Sequence, residues 1–72
     1  MSERKLGNRL REVRTRHGLT QAELALLTGV SRKTINTIEN QVYVPSTILS
    51  LALAEALKTS VEALFFLTEE TP

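Results

Sequence analysis

With 72 residues the chain has room for one small domain, near the lower limit at which an apolar core is stable unaided, so residues 1–72 are expected to form a single unit. It has no cysteine and one histidine, His17, which excludes disulfides and any thiolate or multi-histidine metal centre; neither a metal nor another cofactor is expected. Its apolar runs are too short for a membrane span, and its net charge of +1 hides an asymmetry: six basic residues against two acids from Met1 to Gly18, one lysine against four acids from Ser46 onward. A cytoplasmic protein without membrane contact is therefore expected, and its basic half is a candidate phosphate-facing surface.

Five helices and no competing strand pattern can be read along the chain, which predicts an all-α fold. The first carries Leu6, Leu10 and Val13 on one face and stops at Gly18, a residue suited to a left-handed cap. Thr20 and Glu23 have the T-x-x-E spacing of a capping box, so a second helix should run from Gln21 to about Thr28 and end at Gly29. Ser31 caps the third, which Ile35 and Ile38 anchor and which ends near Asn40. A loop from Gln41 to Pro45 follows, then a fourth helix from Thr47 to Leu57, apolar around most of its circumference and thus central. Ser60 caps a fifth that contains Val61, Leu64, Phe65, Phe66 and Leu67, and residues 68–72 form a polar tail expected to fray.

Two short helices joined by about three residues including a glycine cannot stack antiparallel; they must cross steeply, as in a helix-turn-helix. At 100° per residue, Val30, Ile35 and Ile38 fall on one side of the third helix, and Arg32, Lys33, Asn36, Thr37 and Asn40 on the other. A merely solvated face would mix acids with bases. This stripe has no acid, and its short or forked hydrogen-bonding side chains suit base edges and phosphates.

From Leu19 to Phe65 the chain resembles the Cro/C1-type, or Xre-family, helix-turn-helix regulators, through L-T-Q-A-E-L-A, G-V-S-R-K-T-I, I-E-N, a proline a few residues later, and S-V-E-A-L-F. It is most similar to short stand-alone members. The resemblance implies a compact five-helix, lambda-repressor-like domain in which the second and third helices form the helix-turn-helix. It implies that Arg32, Lys33, Asn36 and Thr37 enter the major groove: Arg32 or Lys33 against guanine O6 and N7, Asn36 against an adenine or a phosphate, and the Thr37 methyl against a thymine. Gln21 would bind a phosphate and brace the recognition helix. Asn40 and the segment from Gln41 to Tyr43 would lie against phosphates, Ser31 would be a cap first and a phosphate ligand second, and Arg11 would add screened attraction. Arg14 and Glu39 resemble a family ion pair that ties the first helix to the end of the third. The sequence departs from the pattern at Gln41, where the family often has glycine.

One such helix covers few base pairs, so a homodimer on a near-palindrome of double-stranded DNA is expected, with half-sites about 34 Å apart. Leu53, Phe66 and Leu67 are apolar residues beyond the stripe a monomer core needs, and they are the expected dimer contacts. The function expected is a sequence-specific transcriptional regulator, most simply a repressor, with no small-molecule ligand. The alternative is a protein-interaction module of the same fold, such as an antitoxin-like or coactivator partner. No constellation of nucleophile, base and orienting group, phosphate loop or metal set supports an enzyme.

Overall fold

Four hydroxyl side chains decide where helices begin. The computed structural model describes residues 4–69. Within them α1 (Leu10–Arg16) is followed by α2 (Gln21–Thr28), which opens behind Thr20: the Thr20 hydroxyl accepts from the Glu23 amide, and the Glu23 carboxylate accepts from the Thr20 amide at 2.9 Å. This is the capping box that the T-x-x-E spacing predicts. The Thr20 backbone donor, helped by the hydroxyl, also holds the Glu23 carboxyl below its ordinary pKa. Ser31, Ser46 and Ser60 start α3 (Arg32–Glu39), α4 (Thr47–Ala56) and α5 (Val61–Leu64), each Oγ accepting an amide three residues on at 3.1 Å. Between α2 and α3 the chain reverses through Gly29 at φ 73°, left-handed backbone that glycine adopts without a Cβ penalty.

The helices pack as the apolar spacing requires. Leu10 and Val13 of α1, Leu24 and Ala25 of α2, Ile35 and Ile38 of α3, and Leu49, Leu53 and Ala54 of α4 meet in one core with Leu57, Leu64 and Phe65. Leu49, Leu53 and Leu57 are four residues apart, so they share the inward face of α4, and Leu53 at its centre has 0% of its surface exposed. Leu53 is therefore a core residue, and the expectation that it contacts a partner is corrected. The apolar surplus of α4 lies instead at Ile48 and Leu51, which are 81% and 57% exposed, so this helix is central on one face only.

The chain also contains two short strands where helix was expected. β1 (Leu6–Asn8) pairs antiparallel with β2 (Phe65–Leu67), Gly7 standing opposite Phe66. Leu6 thus belongs to a strand rather than to the first helix, and the fifth helix stops at Leu64. Three local causes combine. Gly7 is a poor helix former, the Asn8 Oδ1 caps the Leu10 amide at 3.1 Å, and the Phe-Phe-Leu run suits extended backbone. Gly7 is needed for the approach, because a Cβ there would lie 2.4 Å from Cε2 of Phe66. The Arg9 guanidinium covers the same ring at 4.5 Å from its centre. Thr68 does not fray: its amide donates to the Lys5 carbonyl at 2.8 Å, its hydroxyl accepts from the Lys5 amide, and its carbonyl accepts from Arg4 Nε. The rest of the expected frayed tail, from residue 70 onward, lies outside the described residues. Among the described residues no helix is long and apolar enough to cross a membrane.

After Leu57 the chain leaves α4 through Lys58 at φ 53°, with the Thr59 amide bonded to the Ala54 carbonyl at 2.9 Å. A non-glycine residue costs about 1–2 kcal/mol there, and glycine returns about 0.4–1 kcal/mol of that through a freer unfolded chain. Lys58→Gly should therefore stabilise the protein by roughly 0.5–1 kcal/mol. Thermal unfolding checks this: the midpoint should rise by several degrees, and an unchanged or lower value would contradict it.

Candidate nucleic-acid interface

The outward side of α3 follows from the burial of its isoleucines. With Ile35 and Ile38 turned into the core, Arg32, Lys33, Asn36 and Asn40 are exposed, and Thr34 and Thr37 are half-buried at the edges. Arg32, Lys33 and Asn36 line one shallow depression; Ser31, Lys33, Thr34, Thr37, Val42 and Tyr43 line the next. The Thr37 hydroxyl donates to the Thr34 carbonyl at 2.9 Å, so its methyl is the part left for an outside contact.

The one acid of α3 faces the other way. The Glu39 side chain has no exposed surface, and Arg14 closes on it with two hydrogen bonds, Nε to Oε2 at 2.7 Å and Nη2 to Oε1 at 3.1 Å. Arg14 is itself only 11% exposed, and its third contact, Nη1 to the Leu19 carbonyl at 2.9 Å, ties α1 to the start of α2. Arg11 Nε and Gln21 Nε2 add donors to Oε1 at 3.2 and 3.1 Å. Burial pushes the Glu39 carboxyl up, but the bonds from Arg14, Gln21 and Arg11 outweigh it and hold the pKa below the usual carboxylate range. Bonding to Glu39 correspondingly raises the Arg14 pKa. A stable anion is thus enclosed by cations, and α3 shows no acid outward.

The segment after α3 is anchored from two directions. Gln41 takes φ 62°, the left-handed conformation in which glycine is at ease, so its side chain is accommodated by backbone strain rather than by a different turn. Its Nε2 donates to the Leu6 carbonyl at 3.3 Å, and the amides of Val42 and Tyr43 donate to the Thr37 carbonyl at 2.9 and 3.2 Å. Asn8 Nδ2 donates to the Ile38 carbonyl at 2.9 Å, so β1 supports the end of α3. Asn8 is a supporting residue that the sequence reading missed, and an asparagine two residues before a helix was its only signal.

The helix-turn-helix family model HTH_3 matches residues 10–64, most of the chain. The chain belongs to the Cro/C1-type helix-turn-helix family. It is 40% identical over 63 residues to YgzD of Bacillus subtilis, an uncharacterised HTH-type transcriptional regulator, covering 88% of this chain and 96% of that protein. Among solved structures it is similar to the restriction-modification controller protein C.AhdI of Aeromonas hydrophila, with TM-score 0.73, 38% identity, and coverage of 76% of this chain and 83% of that one. It is also similar to the P22 c2 repressor in complex with a synthetic operator, with TM-score 0.73, 33% identity, and coverage of 75% and 82%. The family is one of DNA-binding transcriptional regulators rather than enzymes, and the repressor-like helical fold expected from the sequence is the one found.

In this Cro/C1-type protein, the groove-facing candidates Arg32, Lys33, Asn36 and Thr37 share the outer side of α3. Ser31, Gln21 and Asn40 stand at its ends, with Arg11 alongside Glu39 and Asn40. Tyr43 is exposed beyond them. Phe66 is partly covered by Gly7 and Arg9, and Leu67 is exposed on β2. The apolar surface that the sequence reading did not single out runs along a groove of about 630 Å³ lined by Val44, Pro45, Leu51, Val61 and Phe65.

Proposed function

We propose that this regulator is a sequence-specific repressor that binds a near-palindromic operator as a homodimer in the cytoplasm, with α3 of each protomer in the major groove. The observation that carries the reading is the polarity of α3: its donors face outward, and its single carboxylate is turned inward and neutralised. Arg32 and Lys33 donate to guanine O6 and N7, and the Thr37 methyl packs on a thymine. Gln21, Ser31, Asn40, Arg11, Tyr43 and the backbone at Gln41 set the helix against phosphates. The P22 c2 repressor, solved on its operator, supports this placement by similarity of fold.

A second copy is the natural cover for the apolar groove. Val44, Leu51 and neighbouring Ile48 are exposed, and Glu62, the one charged residue lining the groove, disfavours a phosphate on this side. Leu67 lies next to the same region through β2, whose Phe65 lines the groove, so Leu67 and Phe66 stay in the expected contact set and exposed Leu51 takes the place of Leu53.

Selection of bound duplexes from a random pool at fixed salt tests the reading. The expected product is an inverted repeat with half-sites about 34 Å apart. Arg32→Ala should cost about 1–3 kcal/mol on the best site and relax the base position it reads, whereas Gln21→Ala should weaken all sequences alike apart from the base that faces Asn36, its partner at 3.4 Å. If the two variants behaved identically across the pool, the division of roles would be wrong. An unrepeated motif would remove the dimer. Exposed Leu26 and Leu27 on α2 favour the second reading, a protein-interaction module, and absence of salt-sensitive binding would promote it.

A further inference from the structure

Three amides along the outer edge of the helix-turn-helix are wired so that two of them, Asn40 and Gln21, donate to the side-chain oxygen of the third, Asn36. A guanidinium can only donate and a carboxylate can only accept, so a chain of amides between them has a fixed polarity. Arg11 Nη2 donates to Asn40 Oδ1 at 3.4 Å, which turns Asn40 Nδ2 toward Asn36 Oδ1 at 2.9 Å. At the other end Glu39 takes one hydrogen of Gln21 Nε2 at 3.1 Å, and the second hydrogen of that nitrogen faces the same Asn36 Oδ1 at 3.4 Å. Both lone pairs of Asn36 Oδ1 are therefore engaged. Its Nδ2 has no protein acceptor among the described residues and sits beside Arg32 and Lys33 on the exposed side of α3.

We propose that Asn36 enters the groove as a donor only and selects guanine over adenine at the base it faces, an inference that rests on α3 being the recognition helix. An unconstrained asparagine reads adenine with two bonds, accepting from N6 and donating to N7. Here the accepting half is occupied from within the protein. Adenine would set its N6 amine against the Asn36 amine, donor against donor, whereas guanine presents N7 and O6, both acceptors. The Arg11–Glu39 charges thus determine, through two intervening amides, which base the helix accepts.

The test uses the whole chain and the best duplex from a random pool. The position facing Asn36 is the one whose preference disappears in Asn36→Ala. Wild type should favour guanine there, and 7-deazaguanine, which lacks the N7 acceptor, should weaken binding by about fivefold, the value of one hydrogen bond. In Asn36→Ala the analogue should have no effect. Asn40→Ala removes the shorter bond to Oδ1, so adenine should gain on guanine by about fivefold at that position alone, whatever happens to overall affinity. Asn36 is exposed and Asn36→Ala should fold, so the comparison of this variant with wild type on the analogue decides even if Asn40→Ala folds poorly. Wild-type preference for adenine at that position, or uniform weakening of every duplex by Asn36→Ala, would overturn the proposal and leave the recognition helix in place. Absence of any salt-sensitive duplex binding would overturn both.

Discussion

Glu39→Ala is expected to destabilise the protein by about 3–5 kcal/mol, because it leaves the Arg14 guanidinium buried without its counter-charge. A chain of this size has about 4–10 kcal/mol in total, so the loss is a large fraction of the fold's stability. Urea unfolding at neutral pH measures it, and a change below about 0.5 kcal/mol, the range of ordinary surface substitutions, would show that the pair is only a surface contact. The same carboxylate sets an acid limit. Its pKa is lower folded than unfolded, so between the two values the unfolded chain binds more protons and stability rises with pH. The contribution is complete above the ordinary glutamate range and disappears as pH falls through the lower, folded value. Glu39→Gln should therefore be less stable than wild type near neutrality and lose less on acidification. Part of the remaining acid dependence belongs to Glu23, whose pKa the capping box also lowers.

Leu53→Ala should cost about 2–5 kcal/mol, through lost apolar transfer and the cavity left among Leu49, Leu57 and their neighbours. Leu51→Ala, two residues away on the exposed face, should change monomer stability by less than about 0.5 kcal/mol. Its effect should appear in self-association, with sedimentation showing weaker dimer at a given concentration. Equal losses of stability in both variants would mean that α4 is rotated from the orientation described.

The helix starts were legible because each is a local signal: Thr20, Ser31, Ser46 and Ser60 act on amides three residues away, and no distant contact is needed to place them. The polar side of α3 was legible for the same reason, since Ile35 and Ile38 fix its rotation. Leu53 was misassigned because α4 is apolar on most sides, and helical spacing alone does not say which leucines face the core. The strands were missed because their pairing is non-local. Leu6 fits a helical series with Leu10 and Val13, and nothing nearby reveals that Gly7 must admit the ring of Phe66. The amide chain through Asn36 was likewise hidden, for it joins α1, α2 and α3 in a way that requires the folded arrangement.

Lys5 and Thr68 are 63 positions apart and touch, so every helix lies inside the ring that β1 and β2 close. Bringing the ends of so long a flexible segment together would cost roughly 3.5 kcal/mol beyond a constant, more than three residue pairs of an isolated hairpin supply. The packed helices have already absorbed that entropy. The clasp is consequently expected to close only after the helices have packed, and through Asn8 its opening would loosen the end of α3.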